Sequence, residues 1–164
     1  MTGCLSRRLW LFGAFAALVF ASATTPALAG PFSGLAGSWS GSGHISLSDG
    51  SRERIRCRAH YSVGAGGTML QQSLRCASDS YNFELRSDVQ SHGGRITGNW
   101  NEATRQIGGT LSGRARRGRI EVNVQNPNFN ARLTLISHGR HQSVIIRSRG
   151  GKLTGASIRL AWRG

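Results

Sequence analysis

Acidic residues are scarce in this chain: Asp and Glu number 7 among 164 residues, against 21 Lys and Arg. The few acids are scattered, so no pair of carboxyl groups can be nominated for general acid and base catalysis. Linear enzyme motifs are missing as well, including Gly-x-Ser-x-Gly, His-Glu-x-x-His, Cys-x-x-Cys and a glycine loop followed by Lys-Ser or Lys-Thr. We therefore predict no catalytic residues, no cofactor and no enzymatic activity.

Candidate metal ligands are equally sparse. The five histidines fall at outward strand positions or in turns, and only His138 and His141 stand close together in the sequence. Two imidazoles without a nearby carboxylate or Cys make a poor metal site, since stable sites use three or four protein ligands. We predict no metal site.

A long apolar run occurs at the N-terminus. Leu9 to Ala23 follows Arg7 and Arg8 and precedes Ala27-Leu28-Ala29, the small-x-small pattern that a signal peptidase cuts. The run is shorter than the roughly 20 apolar residues that cross a bilayer. Residues 1–29 are therefore predicted to be a cleavable signal peptide, and the protein to be periplasmic or, alternatively, secreted. The paired arginines are also compatible with twin-arginine export, so Sec and Tat export both stay open.

Cysteine is rare, and one of the three leaves with the signal peptide. Removal of Cys4 leaves Cys57 and Cys76, an even pair in an oxidising compartment. These two cysteines are predicted to form a disulfide.

Helical periodicity is absent after Ala36, where no apolar stripe with a 3.6-residue period lasts for three turns. Apolar and polar residues instead alternate every second position, which is typical of half-buried strands. Residues 54–63 show the pattern best, with Ile55 and Tyr61 on one face and Arg54 and Arg58 on the other. The predicted strands cover residues 37–47, 54–63, 68–77, 81–89, 95–100, 106–114, 119–125, 129–136, 142–149 and 153–162.

About ten short strands joined by tight turns form an antiparallel meander, which must close or fold over to hide its edges. We predict that residues 36–164 form one all-β domain, a single antiparallel up-and-down barrel of about 8–10 strands, after an N-terminal lead of residues 30–35. A two-sheet β-sandwich is the alternative, because periodicity does not distinguish the two.

The hairpin predicted between residues 54–63 and 68–77 provides a register. If Gly66-Gly67 is a two-residue turn, the numbers of directly opposed residues sum to 133. Cys57 then faces Cys76, and Tyr61 faces Gln72. Opposed strand residues lie about 4.5–5.5 Å apart between Cα atoms, a distance that a disulfide tolerates.

Two Gly-x-Trp tripeptides lie in predicted strands. Gly37-Ser38-Trp39 opens the first strand after the signal peptide, and Gly98-Asn99-Trp100 repeats it in mid-chain. The first tripeptide resembles the opening strand of lipocalins and avidins. This resemblance implies an exported barrel of eight or so strands whose interior or mouth holds a small, mostly apolar ligand. It also implies that an arginine near the C-terminus, Arg159 or Arg163, packs on Trp39.

The inward face supplies the candidate ligand-binding residues. A buried Gln72 must be hydrogen-bonded, either to Tyr61 opposite or to a ligand, and the pairing with Tyr61 is the simpler arrangement. We expect a small apolar or amphipathic ligand to be bound without catalysis. The candidates are Trp39, Tyr61, Gln72, Tyr81, Phe83 and Trp100.

The outward face is basic. Without Arg7 and Arg8 the chain keeps 19 basic residues against the same 7 acids, a net charge of +12. Guanidinium groups bind phosphate and carboxylate in a bidentate manner. The anion-binding candidates are Arg54, Arg56, Arg58 and Arg75.

These arginines suggest an alternative function, docking of a cell-envelope protein on an anionic polymer such as lipopolysaccharide or on anionic lipid. Nucleic acid is not expected, because the aromatic residues lie on the opposite face from the arginines. A membrane-spanning barrel is not expected either, because the outward face is polar. An apolar cavity of about 300 Å³ or more would favour ligand binding, whereas a filled interior would favour the envelope function.

Overall fold

The computed structural model describes residues 29–116 and 118–164. The predicted signal peptide, residues 1–29, lies outside the described residues except for Ala29. Within the described part of the chain, none of the helices is long and apolar enough to cross a membrane.

The described residues form ten strands, each antiparallel to the next, and β1 pairs with β10 to close a barrel. This arrangement confirms the predicted up-and-down barrel and excludes the β-sandwich. The strands are β1 (Gly37–Leu47), β2 (Arg52–Gly64), β3 (Met69–Ala77), β4 (Asn82–His92), β5 (Arg95–Glu102), β6 (Ile107–Arg116), β7 (Arg119–Asn126), β8 (Phe129–His138), β9 (His141–Arg149) and β10 (Leu153–Trp162).

Two-residue alternation places one set of side chains inside the barrel and the other in solvent. In β2, Ile55 and Tyr61 are buried, whereas Arg54 and Arg58 are exposed. Inward glycines let adjacent strands approach closely. A Cβ atom on Gly41 would overlap the backbone carbonyl of Arg159 in the neighbouring strand. The sheet can therefore coil into a narrow barrel.

The predicted register of the β2–β3 hairpin is confirmed: Cys57 faces Cys76, and Tyr61 faces Gln72. The turn itself differs from the prediction, because it spans residues 65–68 and contains a short 3-10 turn, Ala65–Gly67. The observed turn is longer than the predicted one by one residue on each side of Gly66-Gly67. The numbers of directly opposed residues therefore still sum to 133. The predicted disulfide joins Cys57 and Cys76, whose Cα atoms lie 4.1 Å apart. Closing a loop of this length contributes about 3 kcal/mol in the chain-entropy account.

The N-terminal residues cover the end of the barrel at which β1 begins, called here the closed end. The backbone N–H of Gly30 donates to the carbonyl of Gly66 at 2.8 Å, and that of Phe32 donates to Gly67 at 3.0 Å. The side chains of Phe32 and Leu35 are buried in the core. Residues 30–35 therefore contribute to the core of the barrel.

Candidate ligand-binding cavity

The barrel contains a cavity of about 320 Å³. This volume lies at the lower end of the range for small-molecule sites, about 300–1,000 Å³. The half-buried apolar residues of the lining lie mainly on the half of the barrel away from the closed end, at Leu74, Tyr81, Phe83, Leu85, Ile107, Val124, Phe129, Leu133, Ile146 and Leu153. We call that end the mouth; its turns cover residues 48–51, 78–81, 103–106, 127–128 and 150–152.

Five of the six candidate ligand-binding residues lie in the cavity lining, namely Tyr61, Gln72, Tyr81, Phe83 and Trp100. The sixth, Trp39, packs near the closed end with 2% of its surface exposed. Its indole N–H donates to the carbonyl of Leu35 at 2.8 Å, and its ring meets that of Tyr61 edge to face. Trp39 therefore supports the closed end and lies outside the lining.

Aromatic side chains form two edge-to-face pairs in the lining. Tyr81 and Phe83 have ring centroids 6.1 Å apart, and so do Trp100 and Phe129. The Trp100 indole N–H is also satisfied, donating to the carbonyl of Thr110 at 3.2 Å. Such pairs hold the rings in fixed orientations and leave apolar surface toward the cavity.

The expected hydrogen bond between Tyr61 and Gln72 is not formed. The Tyr61 hydroxyl donates instead to Oε1 of Gln142 at 3.3 Å, and the Ser87 hydroxyl donates to Oε1 of Gln72 at 3.2 Å. The register was correct, but inward side chains of a narrow barrel also reach partners far away in the sequence. Burial raises the pKa of Tyr61, so the phenol stays protonated as a donor.

Gln72 is one of several polar residues that point into the barrel. Gln142 is 2% exposed, and Ser87 and Ser91 are also buried. Among the described residues, the side-chain nitrogen of Gln142 and the hydroxyl of Ser91 have no hydrogen-bond partner. The alternation of β9 could have revealed Gln142, since it shares a face with Val144.

Glu102 lies at the mouth, as the last residue of β5. Its carboxylate accepts backbone N–H groups from Glu84, Thr104 and Arg105 at 3.0, 2.9 and 2.8 Å. Burial acts to raise the pKa of Glu102, but these hydrogen bonds outweigh it and hold the pKa below the ordinary value. The parity of β5 could have placed Glu102 inward, since it follows Trp100 by two residues.

Arg105 is fixed beside Glu102 at the mouth. Its Nη1 donates to the carbonyl of Asn82 at 3.0 Å and lies 3.5 Å from the Glu102 carboxylate. The guanidinium also stacks over the Tyr81 ring, 4.3 Å from its centroid. No sequence signal pointed to Arg105, because it lies in a turn where alternation has ended. Lys152 is the second cation of the lining.

The four anion-binding candidates lie together on the outer wall. Arg54, Arg56 and Arg58 are exposed along β2, and Arg58 faces Arg75 on β3. Arg75 forms an ion pair with Glu84 at 2.9 Å. Within residues 29–116 and 118–164, the ion pairs involve only Arg75, Arg86, Arg105 and Arg119 among the cations. Arg54, Arg56 and Arg58 are thus not neutralised by a direct partner there.

The resemblance to lipocalins implied that Arg159 or Arg163 packs on Trp39, but neither residue does so. Arg159 faces Ser42 on the outer wall, and Nε of Arg163 donates to the Ser40 hydroxyl at 2.8 Å.

His138 and His141 face each other across the β8–β9 hairpin. In the described part of the chain, no third His, Cys, Asp or Glu completes a metal-binding group with them.

The sequence matches no protein-family model and no curated protein. Among solved structures, the chain is similar to the S-type phycobiliprotein lyase of Guillardia theta, with a TM-score of 0.56 and 10% sequence identity. The similarity covers 81% of this chain and 90% of that chain. At this identity the likeness concerns the fold alone, a closed antiparallel barrel.

This comparison contradicts the prediction that the domain is not an enzyme. A protein with a similar barrel is named a lyase. The absence of linear catalytic motifs therefore does not exclude catalysis in this fold, since function belongs to the site that a barrel carries. The shared fold does not assign a reaction to this chain.

Proposed function

We propose that the barrel binds a small apolar or amphipathic ligand in its interior cavity. The observation that carries the proposal is the cavity of about 320 Å³, which exceeds the volume expected to separate a hollow barrel from a filled one. Its lining is mainly aliphatic and aromatic, with the charged residues at the mouth. Removal of an apolar ligand from water contributes roughly 25 cal/mol per Å² of buried surface.

The lining suggests a function for each candidate residue. Tyr81, Phe83 and Trp100 would contact the body of the ligand, while Gln72 and Tyr61 sit deeper in hydrogen bonds of their own. Trp39 would act indirectly, by holding the closed end in place.

The compartment is part of the proposal. We propose a periplasmic protein, or alternatively a secreted one, exported with residues 1–29 as a cleaved signal peptide. The disulfide between Cys57 and Cys76 supports this location, because structural disulfides persist in oxidising compartments.

Titration with N-phenyl-1-naphthylamine, a neutral apolar dye, tests the cavity. The wild-type protein is expected to bind the dye and enhance its fluorescence. Val124→Trp should lower the affinity at least tenfold, because Val124 lines the cavity and a larger side chain fills it. The expected loss corresponds to about 1.4 kcal/mol or more.

Gln125→Trp is the matched control, since Gln125 is the next residue of β7 and is exposed. It should bind the dye as the wild type does. A wild-type protein that fails to bind, or a Val124→Trp variant with wild-type affinity, would refute the proposal.

A second candidate function rests on the outer wall. Arg54, Arg56 and Arg58 stand about 6.7 Å apart along β2, the repeat of two strand residues. Their neighbours on β1 are His44, Ser42 and Ser40, which carry no negative charge. We propose that this wall, with Arg75 at its side, docks on lipopolysaccharide or anionic lipid of the cell envelope. The two functions use different surfaces and are compatible.

A further inference from the structure

We infer that the ligand is an anionic amphiphile whose charged head group binds Arg105 at the mouth. The inference rests on the proposed binding of a ligand in the cavity and specifies its chemical class. It follows from how charge is distributed between the depth of the cavity and its mouth.

The deep part of the cavity offers little to a polar group. Ser87 donates to Oε1 of Gln72, and Tyr61 donates to Oε1 of Gln142, so both hydroxyl groups are already used inside the barrel. The unpaired side-chain nitrogen belongs to Gln142, which lies outside the cavity lining. The remaining deep lining consists of aliphatic and aromatic groups. A charged head group placed there would lose its hydration without compensation, which is costly. The head group therefore belongs at the mouth.

The charged residues of the lining lie at the mouth, and they are Arg105, Lys152 and Glu102. Glu102 is ionised and offsets part of the Arg105 charge, but three backbone N–H groups occupy its oxygens, so it offers no site for a cation. Two cations, Arg105 and Lys152, still stand against this one anion in the lining. The positive charge of Lys152 lowers the pKa of both Asp49 and Glu53, although hydrogen bonds from serines lower these two pKa values more. Arg105 is accordingly the stronger anchor.

Arg105 is held in one orientation before any ligand arrives. Its Nη1 is bonded to the Asn82 carbonyl, and the guanidinium stacks on the Tyr81 ring. Its Nε and Nη2 donate to none of the described groups, so these donors remain for an anion. Because the donor is already positioned, an anion binds it with a small loss of conformational entropy. The same contacts also stabilise the β5–β6 turn. If Arg105 only stabilised this turn, the affinity for a ligand would not depend on the charge of its head group.

A series of ligands with one tail and three head groups tests the inference: dodecanoate, dodecan-1-ol and dodecyltrimethylammonium, each below its micelle concentration. Their affinities are measured by displacement of N-phenyl-1-naphthylamine. Dodecanoate should bind at least about tenfold more tightly than the alcohol, as expected for one charge-assisted hydrogen bond. The trimethylammonium compound should bind most weakly.

Arg105→Gln should remove the preference, lowering the affinity for dodecanoate about tenfold relative to that for the alcohol. Arg132→Gln is the control for net charge, because Arg132 is exposed on the outer wall. Arg105→Lys keeps the charge and should retain part of the preference. If Arg105→Gln does not fold, the ligand series on the wild type and on Arg105→Lys still decides.

The outcomes separate the two proposals. Equal affinity for dodecanoate and the alcohol would overturn the anionic head group while leaving the cavity proposal intact. A preference that survives in Arg105→Gln would overturn Arg105 as the group that binds the head group, again with the cavity proposal intact. Failure of the wild type to bind the dye and all three ligands would overturn both.

Discussion

At the scale of single residues, Glu102 shows how a buried acid is kept ionised in a basic protein. Its side chain is 7% exposed, yet backbone N–H groups satisfy its oxygens and Arg105 lies beside it. The hydrogen bonds to the charged form offset the cost of burial. Glu102 thereby joins the ends of β4 and β5 to the turn that carries Arg105.

Glu102→Gln is expected to lower the free energy of unfolding by about 1–3 kcal/mol at pH 7, because an amide cannot accept all of these hydrogen bonds. The folded pKa of Glu102 lies below the ordinary value of 4.5. Its contribution is therefore complete above pH 4.5 and is lost as the pH falls through the folded pKa. Urea unfolding at pH 7 and below pH 4.5 measures the difference.

The difference between wild type and Glu102→Gln should narrow in acid. Glu121→Gln is a suitable control, since Glu121 is an exposed partner of Arg119 and such pairs contribute little. A difference that is the same at both pH values would show that the lost contribution does not depend on ionisation.

At the scale of elements, the N-terminal segment completes the barrel. Phe32 is buried at the closed end, although it precedes the first strand and lies in the predicted N-terminal lead, residues 30–35. Phe32→Ala should lower the free energy of unfolding by about 3–5 kcal/mol. Its exposed neighbour provides the control, Ser33→Ala, which should change it far less. Urea midpoints measure both, and equal midpoints for the two variants would contradict a closed end sealed by Phe32.

The strands were predictable because alternation repeats in every one of them. The pairing of Cys57 with Cys76 was predictable because the turn at residues 65–68 is symmetric about Gly66-Gly67, so an error in its length did not move the register. Contacts across the lumen were not predictable in the same way. Tyr61 meets Gln142, 81 residues away, and only the closed barrel determines which inward side chains meet.

The mouth was the least predictable part of the site. Turn residues have no periodic face, so the position of Arg105 over Tyr81 depends on the local path of the chain between β5 and β6. Phe32 was missed for the same reason. Periodicity thus predicted the wall of the cavity, whereas its closed end and its mouth required the structure.

At the scale of the whole molecule, apolar and charged surfaces are separated between inside and outside. The arginines of the barrel wall point into solvent, and the net charge without the predicted signal peptide is +12. A charge of this size attracts anionic surfaces over a Debye length, about 10 Å at 0.1 M salt. Binding to an anionic surface can therefore arise in two ways: by general attraction from the net charge, or through a local site formed by the arginines of β2.

A comparison of two triple variants with equal charge separates these mechanisms. Replacement of Arg54, Arg56 and Arg58 by Ser should weaken cosedimentation with phosphatidylglycerol vesicles roughly a hundredfold, since each arginine near an anionic surface contributes about 1 kcal/mol. The control replaces Arg132, Arg147 and Arg149, which are exposed on β8 and β9. If net charge alone directed binding, both triples would lose the same affinity.

A local site predicts a much smaller loss in the β8–β9 triple. Wild-type binding should also fade in about 1 M NaCl, where the Debye length is about 3 Å. Dye binding in the cavity should be unchanged in both triples, because these side chains lie on the opposite face of the wall from the lining. Equal losses in the two triples would leave the basic exterior without a docking site, and the cavity would remain as the one functional surface proposed for the barrel.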